Sequence, residues 1–324
     1  MKTVFSLTTD PYDLGRFKNR SELESLLSGF DGLELMYLEE DTRGLIQKGD
    51  VVGFHMHAIP YWYDMWKGDT QSLLGEFGTI QDCERYYGGT TRDAIIKRMK
   101  AELERALHYG AEYAVFHVAD ASIIESMTRR FRHSDEEIVE AACELINIVF
   151  QGEPPIKLLL ENLWYPGFDF TKPHITQLML NGIQHKNTGI MLDTGHLLHT
   201  NTGLRTQEEG LGYIHRMLDR HGGLSSRIKG IHLNQSLTGE FAERTAGNPP
   251  QLAETYSGRV NQLYAYIFQI DLHRPFTCDG VHEMIQRISP EYLTFEFITG
   301  SLEEHKKFLA MQKESLSPRG NNFA

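Results

Sequence analysis

The sequence has few cysteines, and none of them is in a metal-binding or redox arrangement. Its 324 residues include only Cys83, Cys143 and Cys278. They are far apart, odd in number and never in a C-x-x-C pair, which argues against a disulfide framework and against a cysteine zinc site. The chain also lacks the run of about 18 apolar residues that a membrane-spanning helix needs. Its N-terminus, MKTVFSLTTDPYD, has too short an apolar stretch for a secretory signal. We therefore predict a cytoplasmic protein that does not bind a membrane.

Positive charge is also scarce. The chain has 32 Lys and Arg against 44 Asp and Glu, which gives a formal net charge of −12 at pH 7. This charge repels polyphosphate backbones, so nucleic acid is an unfavourable partner. A hydrophobic content of 40% is ample for a core. At this length the chain can form one large α/β barrel or two ordinary domains.

Short β-rich runs alternate with longer amphipathic segments along the chain. Eight runs predict strands, at residues 4–7, 33–38, 51–57, 113–119, 156–163, 189–193, 228–233 and 292–297. Helices are expected between them, because signals of the form S/T-x-x-E satisfy the free amides at a helix start. These signals are Ser21-x-x-Glu24, Ser134-x-x-Glu137, Thr206-x-x-Glu209 and Ser301-x-x-Glu304.

This alternation predicts an α/β fold, a (β/α)8 TIM barrel, with a doubly wound open sheet as the competing architecture. We expect a single domain over residues 1–315 and a polar tail over 316–324. Two connections are long, 58–90 after the third strand and 234–279 after the seventh. Loops of that length are usually functional or have structure of their own, and an extra helix is expected over residues 259–270.

Ligand-type side chains gather at the ends of the predicted strands. Alternate residues of a strand share a face, and each of these side chains lies opposite apolar neighbours or directly at the strand exit. In a barrel, inward residues at the carboxyl ends of the strands meet at one mouth, where TIM-barrel enzymes place their chemistry. The side chains expected there are His55, His57, His117, Glu161, Asp193, His196, His232 and Glu296.

Burying so many carboxylates and imidazoles together is very costly without a cation to neutralise them. Each residue alone is more simply explained as a hydrogen-bonded core or surface group. Five successive strands ending in such residues instead favour a bound metal. Imidazole and carboxylate without thiolate suit Zn²⁺, Mn²⁺, Co²⁺ or Fe²⁺ better than Ca²⁺.

The pattern resembles the xylose-isomerase-like TIM-barrel superfamily, which contains sugar phosphate isomerases and epimerases as well as apurinic-site endonucleases of the endonuclease IV type. The resemblance covers roughly residues 4–309. The family's central metal ligands, a Glu, an Asp, a His and a Glu on strands five to eight, match Glu161 in LLLEN, Asp193 in MLDTGH, His232 in GIHLN and Glu296 in TFEF.

The endonuclease branch implies further ligands and a site of up to three metal ions. A His after strand three, a His on strand four, the His of D-x-x-H and a D-x-H after strand seven belong to that branch. The matching residues are His57 (or His55), His117, His196, Asp271 and His273. Asp271 and His273 are equally compatible with a helix end and a surface histidine.

The long loops bear on the substrate. An abasic-site endonuclease needs a basic face, whereas the loop YWYDMWKGD is acidic and aromatic. We therefore predict a substrate other than DNA. Aromatic rings can stack on a planar group, or they can pack the loop as a lid. The residues assigned to substrate are His55, Trp62, Trp66, Asn162, Trp164 and Asn234; the two asparagines alternatively orient the ligands.

Two chemistries suit this set of residues. With one metal, Glu161 and Glu296 flank a chelated hydroxy-ketone and move a proton, as in sugar or hydroxy-acid isomerases and epimerases. With two or three ions, Zn²⁺ or Mn²⁺, the site hydrolyses a phosphoester. The surplus of ligands favours a hydrolase of a phosphodiester in a small or medium-sized molecule, such as the cobamide-like substrates of some relatives. A barrel that binds metal or ligand without catalysis is the third hypothesis, and oligomeric state stays open.

Overall fold

The computed structural model describes residues 1–317 as a closed barrel of eight parallel strands, each hydrogen-bonded to the next and β8 to β1. The strands are β1 Lys2–Thr8, β2 Gly32–Met36, β3 Val51–His55, β4 Tyr113–His117, β5 Lys157–Glu161, β6 Thr188–Asp193, β7 Ile228–Leu233 and β8 Tyr292–Phe295. All eight predicted strands are present, and the barrel is confirmed over the doubly wound sheet. Of the predicted tail, 316–324, the residues beyond 317 lie outside the described residues.

Helices follow the strands and cover the barrel. They are α1 Pro11–Gly15, α2 Arg20–Leu27, α3 Tyr63–Lys67, α4 Thr70–Phe77, α5 Ile80–Tyr87, α6 Arg92–Tyr109, α7 Ile123–Thr128, α8 Asp135–Val149, α9 Pro173–Gly182, α10 Thr194–His199, α11 Gln207–His221, α12 Gly239–Gly247, α13 Tyr256–Ile270, α14 Val281–Ile288 and α15 Leu302–Ser315.

Side-chain oxygens cap the starts of most long helices, as the sequence predicted in three of four cases. Ser134 and Thr206 form full capping boxes at α8 and α11, and Ser301 caps α15. The prediction at Ser21 was wrong, because Asn19 caps α2 instead: its side chain accepts the Glu22 N–H at 3.1 Å. Asn is as good an N-cap as Ser, and here it lies two residues earlier.

Strand alternation sorts the barrel into an outer apolar face and a layered interior. On β4, Ala114 and Phe116 pack in the outer core under the helices, whereas Tyr113 and Val115 belong to a separate inner cluster. His117 continues the inward series at the carboxyl end of that strand. Gly53 makes room for Tyr113, because a Cβ there would lie 2.2 Å from its ring. Side chains such as Tyr113 and Val115 therefore fill the barrel interior toward the amino ends of the strands, and polar residues occupy the layers toward the carboxyl ends.

The two long connections have structure of their own, as expected. The one after β3 contains α3, α4 and α5, and the one after β7 contains α12 and α13. The expected extra helix, 259–270, is present as α13 and begins slightly earlier, at Tyr256. Both α12 and α13 contact α7, which places them over the carboxyl end of the barrel. None of the helices within residues 1–317 combines the length and the apolar character that a membrane span requires.

Candidate metal centre

Glu161, the last residue of β5, lies at the centre of a ring of imidazoles. Its Oε2 atom is 2.8 Å from Nε2 of His117 and 3.0 Å from Nε2 of His55. Its Oε1 atom is 3.1 Å from Nδ1 of His232 and 3.2 Å from Nδ1 of His196. Glu161 has no exposed surface. Its two oxygens therefore face two different pairs of histidines.

A second set of donors surrounds Asp193 at the end of β6. Glu161, Asp193, His232 and Glu296 each offer an atom within 4.8 Å of the others. Asp193 also caps α10, because its Oδ1 atom accepts the His196 N–H at 2.6 Å. The sequence D-x-x-H thus starts a helix at the barrel mouth and brings both side chains to the same place.

The two predicted asparagines hold Asp193 rather than line the cavity. Asn162 pairs with its backbone: Oδ1 accepts the Asp193 N–H at 2.9 Å, and Nδ2 donates to the Asp193 carbonyl at 3.0 Å. Asn234 Nδ2 donates to Asp193 Oδ2 at 2.8 Å. Both asparagines are fully buried. Of the two roles considered for them, the geometry favours orientation of the ligand over contact with substrate.

The segment after α13 brings a third set of donors. Asp193, His196 and His273 offer atoms within 4.8 Å of one another. Asp271 joins them, with its Oδ2 atom 2.8 Å from Nε2 of His273 and 3.4 Å from Nε2 of His196. Both Asp271 and His273 are buried. His273 also has a φ of 44°, a conformation that is strained for a residue with a Cβ and that is most common at functional sites.

Opposite charges in this cluster attract one another and offset the free-energy cost of burying them. Burial raises the pKa of Glu161, but the imidazoles around it lower the pKa by more and leave it well below its usual range. Burial raises the pKa of Glu296 to about 7, against the opposing effect of His232 and His273. For His273, burial lowers the pKa, but Asp271 and Glu296 raise it to about 9. Such displaced values are typical of functional sites.

Several donor atoms of the cluster have no hydrogen-bond partner. Among the described residues, the buried atoms without a partner include His199 Nε2, His232 Nε2, Asn234 Oδ1 and His273 Nδ1. An unpaired buried polar atom costs about 1–3 kcal/mol. Their concentration at one mouth, within a set of imidazole and carboxylate donors without thiolate, fits divalent ions of the Zn²⁺ or Mn²⁺ type.

Of the two neighbouring histidines on strand three, His55 lies in the cluster and His57 does not. His57 follows the end of β3, and its Nδ1 atom is 2.9 Å from Nη2 of Arg98. Burial, followed by the charge of Arg98, lowers the pKa of His57 to about 4. Both histidines line the cavity, and of the two alternatives for the ligand from strand three the geometry favours His55, which faces Glu161.

Two buried residues near the centre were not identified from the sequence. Glu34 on β2 lies below the cluster, with its Oε1 atom 2.9 Å from Nε2 of His232. It alternates with Leu33 and Leu35 in GLELM, which is the same signal that identified Glu161. His199, at the end of α10, lies 3.6 Å from Asp271. Its signal is the spacing of three residues from His196 in a helix.

The three tryptophans have different environments. Trp62 is buried and donates from its indole to the carbonyl of Ala119 at 2.9 Å. Trp66 is buried and donates to Glu144 at 2.9 Å. Both therefore pack the long connection after β3, and neither lines the large cavity. Trp164 does line it, with its ring centroid 5.0 Å from that of His196.

A cavity of about 760 Å³ opens above the cluster. Its floor is polar and includes His117, His196, Asp271, His273 and Glu296. Its walls are mostly apolar, and one of them is a single face of α13 at helical spacing. That face consists of Tyr256, Val260, Leu263, Tyr264, Ile267 and Phe268. The cavity therefore has a charged floor and largely apolar walls that are partly exposed to solvent.

Comparison with known proteins identifies the family. The family model described as "Xylose isomerase-like TIM barrel" matches residues 28–289. No curated protein matches the chain. Similar solved structures include a D-tagatose 3-epimerase-like protein, at 15% identity over 98% of this chain and 100% of that one, with a TM-score of 0.49. They also include 3-keto-D-glucoside 4-epimerase from E. coli, at 12% identity over 97% and 99%, with a TM-score of 0.48.

A third similar structure is the IolI protein with a bound zinc atom, at 13% identity over 97% of this chain and 96% of that one, with a TM-score of 0.46. The family model covers most of the chain, including β3 to β7 with Glu161, Asp193 and His232. The chain therefore belongs to the xylose isomerase-like TIM-barrel family.

Proposed function

We propose that the protein is a divalent-metal-dependent hydrolase of a phosphoester, with a centre that holds more than one ion. The observation that carries this proposal is the position of Glu161 between two pairs of imidazoles. Its Oε2 atom faces His55 and His117, and its Oε1 atom faces His196 and His232. A carboxylate in this position is suited to bridge two ions. It is poorly placed to act as a free general base, because both of its oxygens are engaged.

The donors divide into three overlapping groups. The first is His55, His117 and Glu161; the second is Glu161, Asp193, His232 and Glu296; the third is Asp193, His196 and His273, with Asp271 beside it. Ions bound in such groups would lower the pKa of water and offset charge on phosphoryl oxygens. Hydrogen bonds from Asn162 and Asn234 hold Asp193, which belongs to two of these groups, in position. Glu296 borders the cavity, where it is available to accept or return a proton.

The cavity above the centre supports a substrate with a large apolar portion. Its volume of about 760 Å³ exceeds what a single monosaccharide fills, and its walls carry aromatic rings rather than sugar-binding amides. A phosphodiester has a charged group for the floor and an organic group for the walls. The net charge of −12 argues against nucleic acid in this position. We propose a phosphodiester of a bulky, partly planar molecule, of which a cobamide-like compound is one example.

A second candidate is a sugar or hydroxy-acid isomerase or epimerase that uses one ion. The specific observation in its favour is the compact group of Glu161, Asp193, His232 and Glu296, in which two glutamates flank a single position. Proton transfer between adjacent carbons needs such a pair of carboxylates. Several of the structurally similar proteins are named as sugar epimerases, but that likeness speaks for the fold alone.

Metal stoichiometry and two activity assays separate the candidates. Tag-free protein would be loaded with Zn²⁺ or Mn²⁺, desalted and analysed by elemental mass spectrometry, for the wild type, His117→Ala and His273→Ala. The first candidate predicts two or three ions in the wild type and one fewer in each variant. His174→Ala is the matched control, because that imidazole is 68% exposed and remote from the cluster.

The same samples would be assayed with bis(p-nitrophenyl) phosphate and, in D₂O, with a panel of ketohexoses. Release of p-nitrophenol that both variants lose and His174→Ala retains supports the hydrolase. One ion per chain, unaffected by either variant, together with deuterium in the recovered sugar, would replace it with the isomerase. Metal binding with neither activity would favour a barrel that only binds ligand.

A further inference from the structure

A buried glutamate lies directly beneath the candidate metal centre. We infer that Glu34 is a positioning residue, which holds the His232 imidazole as the Nε2–H tautomer and so leaves Nδ1 free to bind a metal ion. This inference rests on the metal centre of the proposed function. It does not depend on whether the centre catalyses hydrolysis or isomerisation.

The first argument is how the two oxygens of Glu34 are used. The Oε2 atom accepts two hydrogen bonds, from the Tyr113 hydroxyl at 2.7 Å and from the Thr294 hydroxyl at 2.9 Å. This arrangement fixes the plane of the carboxylate. The Oε1 atom then lies 2.9 Å from Nε2 of His232. The two atoms approach without full hydrogen-bond alignment, and neither has another partner.

The second argument is the orientation of the His232 ring. Its Nδ1 atom faces the other central donors, at 3.1 Å from Glu161, 3.3 Å from Glu296 and 3.7 Å from Asp193. A neutral imidazole has one lone pair and one N–H. If Nδ1 gives its lone pair to a metal, the N–H must be on Nε2, and Glu34 is its acceptor. A carboxylate in this position also raises the basicity of the ligand.

A competing role is that Glu34 is itself a ligand. Glu34, His55 and His232 do offer atoms within 4.8 Å of one another. With Nδ1 of His232 bound to an ion in the central group, that role would require a lone pair from Nε2 as well, which only the imidazolate anion can give. It would also take Oε1 away from the N–H that a metal on Nδ1 creates. The geometry therefore favours positioning over direct ligation.

The test compares Glu34→Gln and Glu34→Leu with the wild type. We expect zinc affinity, measured by chelator competition, to fall about tenfold for Glu34→Gln, which keeps a weaker acceptor, and up to about a hundredfold for Glu34→Leu. The number of ions at saturating zinc should stay the same. Glu125→Gln is the control, because Glu125 is another buried, hydrogen-bonded glutamate away from the centre, and its zinc affinity should equal that of the wild type.

A second measurement needs no metal. Long-range ¹H–¹⁵N spectra of the metal-free wild type, with the His232 signal assigned from His232→Gln, should show a proton on Nε2, and Glu34→Leu should shift the Nε2 signal toward that of an unprotonated nitrogen. If Glu34→Leu does not fold, Glu34→Gln decides.

Three results would overturn the inference: wild-type zinc affinity in both variants, one ion fewer at saturation in Glu34→Leu, or an Nδ1–H tautomer in the wild type. A wild type that binds no metal contradicts the proposed function instead, and the tautomer spectra then decide the role of Glu34.

Discussion

The apolar face of α13 is expected to bind ligand, and its contribution can be worked out from exposure. Phe268 and Tyr264 both line the cavity, yet 57% and 52% of their surface is exposed. An aromatic side chain has roughly 200 Å² of surface, so about 100 Å² per ring is available to a ligand. At about 25 cal/mol per Å², covering one ring contributes at most about 2.5 kcal/mol. A contribution of about 1.4 kcal/mol, a little over half of that maximum, is a tenfold change in affinity.

We therefore expect Phe268→Ser and Tyr264→Ser each to weaken binding of the planar dye 1-anilinonaphthalene-8-sulfonate about tenfold, measured by fluorescence titration of the zinc-loaded protein. The double variant should lose about a hundredfold, and zinc content should not change. Leu107→Ser is the matched control, because Leu107 is 38% exposed on α6 and does not line the cavity. Wild-type affinity in the double variant, or an equal loss in Leu107→Ser, would refute this reasoning.

Three further predictions concern stability and the centre. Burial, followed by the charge of Arg16, lowers the pKa of His305 to about 4 from the usual 6.5. Between these two pH values the unfolded chain binds a proton on His305 that the folded chain does not bind, so the stability of the folded protein is lost as pH falls. Urea unfolding of the wild type should therefore lose about 2 kcal/mol more than His305→Phe between pH 7.5 and pH 5; equal losses would contradict it. In Gly195→Ala, the new Cβ would lie 1.9 Å from Asn234 Oδ1 and displace the hydrogen bond to Asp193, so zinc affinity should fall about tenfold or more. Gly75→Ala, with nothing within 4 Å, should keep wild-type affinity, and the same affinity in Gly195→Ala would count against the contact. Asp193→Ala and Glu296→Ala should release metal and abolish activity while circular dichroism stays that of the folded barrel; wild-type metal content in both would reject their assignment as ligands.

The barrel itself was predictable because hydrophobic alternation and capping chemistry are local signals. Every strand reads as a short β-rich run, and Ser134, Thr206 and Ser301 cap helices as their sequences indicate. The same locality explains the error at α2, where two capping residues lie close together. Asn19 and Ser21 are equally suitable by type, and only the path of the chain into the helix selects between them.

The sequence predicted on which face of its strand each site residue lies, but it predicted much less well at which level along the barrel axis that residue lies. Alternation puts His55 and His57 on the same side of strand three, but it does not say where the strand ends. Because β3 ends at His55, His57 has already left the sheet and turns to Arg98. Likewise the sequence places Trp62 in a loop, but only tertiary packing turns its indole toward the Ala119 carbonyl. Glu34 was accessible to the same alternation argument, whereas its contact with His232 required the closed barrel.

The connection after β7 joins two properties that could have evolved separately. This stretch of chain contains α13, whose apolar face borders the cavity, and immediately after it Asp271 and His273 of the third donor group. Ser236 and Gln235, where the stretch begins, hydrogen-bond back to the segment where it ends, at His273 and Arg274. The stretch thus forms a closed module on the barrel. Under the proposed function, exchanging this one stretch between relatives would change both the molecules that enter the cavity and the number of ions that the centre holds.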